Sequence, residues 1–136
     1  MNKDIAVKWV AALRSGKYQQ GEGVLRDGDS FCCLGVLCDI SEMGRWGSDV
    51  NGYPAFMLER SAPVTHWLPE PIQKWAGLVS DTGGVPSDMI VQIIPTATEH
   101  TMLSLANLND GHPTRNIPKM SFEQIADIIE KNWEKL

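Results

Sequence analysis

Apolar residues recur along the chain at helical spacing in three clear places. Ile5, Ala6, Trp9, Val10 and Leu13 make one stripe, with Lys3, Lys8 and Arg14 largely outside it. The spacing predicts a helix over 3–15, with Asn2 as its cap, Asp4 in the first turn and Gly16 as its stop. Leu68, Ile72, Trp75 and Ala76 mark a second helix, opened by Pro69-Glu70-Pro71 and ended by Gly77. Phe122, Ile125, Ala126, Ile129 and Trp133 mark the last. Ser121 and Gln124 have the spacing of a capping box there, and Met120 and Ile125 that of a hydrophobic staple.

The longest apolar run is Phe31-Cys32-Cys33-Leu34-Gly35-Val36-Leu37-Cys38-Asp39-Ile40. It predicts a central helix from about Cys32 to Met43, covered on most sides, capped by Asp29 or Ser30 and stopped by Gly44. Gly35 lowers helix propensity by about 1 kcal/mol, which suits a place where another backbone passes closely.

The remaining patterns are shorter. Asp27-Gly28 is a hairpin dipeptide, with short strands expected at 23–26 and 30–32. Residues 44–64 are rich in Gly and Pro but carry Trp46, Tyr53, Phe56 and Met57, so they read as a structured loop region. Tyr53 to Leu58 fits a short strand or a helical turn, and Asn51-Gly52 a turn. A strand is expected near Ile90–Ile94. Thr96 and Glu99 have capping-box spacing, which predicts a helix running to Asn109 and broken by Asp110-Gly111. The fold class that follows is α+β, predominantly helical: a compact single domain over 1–136 with short β-hairpin elements.

The formal net charge of −5, with Lys and Arg scattered, disfavours nucleic acid as a partner. No apolar run approaches the ~20 residues of a membrane span. Met1-Asn2-Lys3-Asp4 leads straight into a helical pattern, unlike a secretory signal. Three cysteines, two of them adjacent, form no disulfide framework, which fits the cytoplasm of a bacterial host cell. No cofactor motif is present, and the oligomeric state stays open.

Two kinds of chemistry compete for the polar residues. Cys32 or Cys33 near a helix N-terminus fits a thiolate nucleophile, with His66, His100 or His112 as its base; the same thiols also suit a buried core. Cys32, Cys33 and Cys38 lack metal-ligand spacing. Gly21-x-Gly23 offers backbone N–H groups to an anion, with Arg14, Lys17 or Arg26 nearby. Trp9, Trp75 and Trp133 fall on helix faces and are expected in the core. Trp46, Tyr53 and Trp67 come from the loop region and are expected around one concave surface, with Arg45 or Arg60 offering charge to a phosphate or carboxylate.

Four blocks carry a resemblance: 12–21 (ALRSGKYQQG), 31–39 (FCCLGVLCD), 105–111 (LANLNDG) and 121–130 (SFEQIADIIE). Together they resemble a family of small uncharacterised proteins from bacteriophages and prophages, with 112–119 as a variable segment between two blocks. The resemblance implies a phage accessory protein, including an inhibitor of a host system. The leading expectation is a non-catalytic binding protein that inhibits or sequesters a host protein or a small anionic, nucleotide-like signal. A small cysteine-dependent hydrolase or transferase and a structural assembly protein are the alternatives.

Overall fold

The computed structural model describes residues 1–98 and 100–136. The chain folds as a predominantly helical α+β domain, with helices α1 (Lys3–Arg14), α2 (Cys33–Ser41), α3 (Glu70–Ala76), α4 (Ser87–Ile93), α5 (Leu105–Asp110) and α6 (Phe122–Asn132). Two small sheets sit beside them. In the first, β3 (Ser30–Phe31) lies between β1 (Gln19–Gln20), parallel to it, and β2 (Arg26–Asp27), antiparallel. In the second, β4 (Arg45–Ser48) pairs antiparallel with β5 (Pro54–Met57).

The helix ends follow local chemistry. Asn2 Oδ1 accepts from the backbone N–H groups of Asp4 and Ile5, and Ser121 and Gln124 close the expected capping box around α6. The cap of α2 differs from expectation. Asp29 and Ser30 stay in the hairpin, and Cys32 Sγ accepts from the Gly35 N–H at 3.4 Å instead. The stop also comes earlier, because Glu42 takes the left-handed conformation (φ 55°) before Gly44 is reached.

α2 is covered by α1 and α5, while α6 lies chiefly along α1. Leu34, Val36, Leu37 and Cys38 are fully buried. Gly35 is where the Leu25 backbone crosses the helix: a Cβ there would overlap the Leu25 carbonyl oxygen. Trp9 is sealed in the same core and donates from Nε1 to the Cys33 carbonyl at 2.9 Å.

One buried polar node ties four elements together. Asn109 is fully buried. Its Oδ1 accepts from Cys33 N–H and Gln20 Nε2, each at 3.1 Å, and its Nδ2 donates to the Gly21 carbonyl and to Asp110, each at 2.8 Å. Gln20 completes the node by donating to the Met120 carbonyl and accepting from Phe122 N–H, the first residue of α6. A buried amide is tolerated because its donors and acceptors are paired.

Two expectations between residues 85 and 109 change. The apolar positions Met89, Ile90 and Ile94 are buried at helical spacing while Val91 is exposed, so this segment is α4 rather than a strand. The expected helix from Thr96 begins instead at Leu105, where Ser104 Oγ accepts from Asn107 N–H at 3.2 Å. Glu99, the second half of the expected capping box, lies outside the described residues. Ahead of α5, Thr98 N–H bonds to Thr101 Oγ1, and Leu103 accepts from Val85 N–H in an antiparallel bridge that holds the chain extended.

Candidate functional site

The turn between β2 and β3 and the turn between β4 and β5 form the two lips of a groove. Asp27-Gly28 makes the first lip, with Gly28 at φ 58°. Asp49 makes the second: its Oδ1 accepts from the N–H groups of Asn51 and Tyr53, and Gly52 takes φ 82°. This side-chain-to-backbone bonding is turn chemistry. Residues 64–66 run between the lips. Val64 exchanges two backbone bonds with Phe56, and the Thr65 carbonyl accepts from Leu25 N–H at 2.7 Å. The groove encloses about 340 Å³, with Val24 and Pro54 as apolar wall, Tyr53 and His66 as rings, and Arg26, Asp27 and Asp49 as charges.

Behind it stands a chain of rings packed edge to face: Tyr18 on Phe31, Phe31 on Trp46, and Trp46 on Phe56, with centroids 5.1, 5.6 and 5.0 Å apart. Asp39 fixes two of them, accepting from the Tyr18 hydroxyl at 2.5 Å and from Trp46 Nε1 at 2.9 Å. Burial, and then the Asp39 carboxylate, push the Tyr18 phenol well above its ordinary range, so it stays a donor. The Arg26 guanidinium lies 4.9 Å from the Phe31 ring centre and 5.5 Å from that of Trp46. Its Nε donates to the Gly28 carbonyl at 2.8 Å. Among the described residues no carboxylate forms an ion pair with it.

The five residues expected around one concave surface are distributed unequally. Tyr53 lines the groove and is 65% exposed. Trp46 is half-buried behind it and reaches it through Arg26. Trp67 lies one step outside, its ring 5.8 Å from that of His66. Arg45 lines a separate depression with Glu42, Met57 and Glu59. Arg60 sits exposed in a left-handed turn at φ 64°. Arg26 and His66 are the contributors that the sequence did not single out for this surface. The sequence signals for Arg26 were its place beside the Asp27-Gly28 turn and its nearness to the Gly21-x-Gly23 anion candidate.

The other candidates are placed in structure. Gly21 N–H donates to the Phe31 carbonyl, and Arg14 is held by Glu123, Asp127 and Glu130, so these groups serve the sheet and the α1–α6 contact. Cys32, Cys33 and Cys38 are free thiols, all buried. Burial pushes the Cys32 thiol up to about 11, and Cys33 and Cys38 also upward, the reverse of an activated nucleophile. Among the described residues no three His, Cys, Asp or Glu side chains converge as a metal site. No helix among them is long and apolar enough to cross a membrane.

No curated protein and no solved structure matches the chain. Residues 1–133 match a family described as a domain of unknown function, DUF8296. That match spans nearly the whole length, and the chain belongs to this family.

Proposed function

We propose that the protein is a non-catalytic binding protein whose hairpin groove takes a small anionic, nucleotide-like ligand. The observation that carries the reading is Arg26: a guanidinium seated on two aromatic rings, without an ion-pair partner among the described residues, at the wall of a groove that also presents Tyr53 and His66. A planar base stacks on the exposed Tyr53 ring, its amino groups donate to Asp27 or Asp49, and its anionic group meets Arg26. The volume of the groove lies in the range of about 300–1,000 Å³ usual for small-molecule sites. The buried, protonated thiols leave little support for the cysteine-enzyme alternative. The resemblance of the four sequence blocks to phage and prophage proteins favours a sequestering inhibitor in the bacterial cytoplasm, and the net charge of −5 favours a small signal over nucleic acid.

Calorimetric titration with AMP, adenosine and inorganic phosphate tests this. AMP binds saturably and more tightly than either fragment, and Arg26→Ala and Tyr53→Ala each weaken it about tenfold, or about 1.4 kcal/mol. Absence of saturable AMP binding, or equal binding by the Arg26→Ala protein, overturns the reading.

A further inference from the structure

A second groove, built from other parts of the chain, has a different chemistry. The loop at 80–86 and the segment at 101–104 form its walls. They are fastened by two backbone bonds, Val85 N–H to the Leu103 carbonyl at 2.9 Å and Leu105 N–H to the Gly83 carbonyl at 2.8 Å. Arg115, from the 3-10 turn at Pro113–Arg115, donates from Nη2 to the Met102 carbonyl at 3.3 Å, which sets its guanidinium on the rim. The groove encloses about 530 Å³.

Its polar lining is made of hydroxyl and amide groups. Ser80 Oγ accepts from Gly84 N–H and shares a hydroxyl–hydroxyl hydrogen bond with Thr82 Oγ1 at 3.4 Å, while Ser104 Oγ accepts from Asn107 N–H and keeps its own proton to donate. Asn107 and Ser87 also line this groove. None of the described lining residues is acidic, in a chain where acidic residues outnumber basic ones by 17 to 12. One guanidinium on the rim of a groove lined by neutral polar groups, with no carboxylate among the described lining residues, suits a phosphate-type oxyanion. The groove exceeds what a bare oxyanion fills, and Val85, Ile90 and Met102 give it an apolar side.

We propose that this groove binds a phosphomonoester with a compact apolar body, the phosphate against Arg115 and the serine hydroxyls and the body against Val85, Ile90 and Met102. The site is independent of the hairpin groove and does not rest on the function proposed for it.

Amide chemical shifts of the full chain, titrated with phenyl phosphate, inorganic phosphate and phenol, test it. Phenyl phosphate gives saturable shifts at Gly84, Ser87 and Ser104 and binds at least tenfold more tightly than the other two probes. Arg115→Gln weakens it at least tenfold, and Arg26→Ala leaves it unchanged, which separates this site from the hairpin groove. Arg115 is exposed, so its replacement leaves the fold intact, as an unchanged spectrum elsewhere verifies. Inorganic phosphate binding as tightly as the ester overturns the ester assignment, and phenol doing so overturns the anion site. Shifts confined to the hairpin groove, or an Arg115→Gln protein that binds normally, overturn the proposal as a whole.

Discussion

The Asn109 node and the hairpin groove both collect polar side chains around the β1–β3–β2 sheet, and they use them in opposite ways. At the node, one buried amide and one glutamine satisfy the starts of α2 and α6 and the edge of β1. The polar groups there are paired within the chain. At the groove, Arg26 rests on rings without an ion pair among the described residues, and Tyr53 and His66 stand exposed. Pairing a buried polar group fixes structure; polar groups exposed at a concave surface stay open to a ligand such as the one proposed for this groove. Substitutions should therefore cost stability on the node side and recognition on the groove side.

Glycine replacements give the widest contrast. Gly35→Ala sets a Cβ into the Leu25 backbone, where neither α2 nor the crossing segment ahead of β2 can easily give way, and should cost about 3 kcal/mol or more in urea unfolding. Gly47→Ala, in β4, meets only the thioether end of Met57, which can rotate away, and should cost less than about 1.5 kcal/mol. Equal losses at the two positions would show that the hairpin side is packed as rigidly as the core.

Asn109→Ala should come next. It strands the buried Cys33 N–H, at about 1–3 kcal/mol for an unsatisfied buried group, and takes the donor from the part-buried Gly21 carbonyl. Asp27→Ala on the groove lip removes an exposed side chain and should stay within about 0.5 kcal/mol in the same unfolding experiment.

The helix ends and the Gly35 crossing were more legible in the sequence than either of these regions, for a physical reason. The Asn2 cap and the Ser121–Gln124 box depend on residues within one turn, and both were readable from spacing alone. The close approach at Gly35 was also readable, since only contact explains a glycine inside so apolar a helix. β1 was not, because two residues have no period and their partner lies eleven positions away. Trp46 was assigned to a ligand surface as a loop tryptophan; it is half-buried because Asp39, seven residues earlier, accepts its indole N–H. The groove depends on two turns and a segment at 64–66 meeting in space, so Tyr53 was legible as a surface ring, while Arg26 and His66 were legible only in other roles and not as its neighbours.

The thiols extend the comparison to pH. Their upward shift means that the folded chain holds these protons more tightly than the unfolded one. The stabilisation from Cys32 is therefore complete below its ordinary value near 9 and is lost as pH rises from there towards about 11. Alkylation by iodoacetamide at pH 8 should be at least tenfold slower in the native protein than in urea for all three cysteines. One cysteine reacting in the native state as fast as a free thiol would reopen nucleophilic chemistry at the start of α2.

The smallest stability effect belongs to Tyr53→Ala, and there the contrast is sharpest. The ring is 65% exposed, and the structural part of the residue is its backbone N–H, which bonds to Asp49 whatever the side chain. The turn therefore keeps its shape, and unfolding should change by less than about 0.5 kcal/mol. Trp46→Phe is the partner experiment. It keeps a ring in the edge-to-face chain but removes the donor to Asp39, so one carboxylate oxygen loses its partner and the expected cost is about 1–2 kcal/mol. If Tyr53 is instead part of the folded core, its replacement will cost as much as that of Trp46, and the hairpin groove then becomes packing rather than a binding surface. A Tyr53→Ala protein with wild-type stability and weakened AMP binding places recognition on the exposed ring, and stability on the rings behind it.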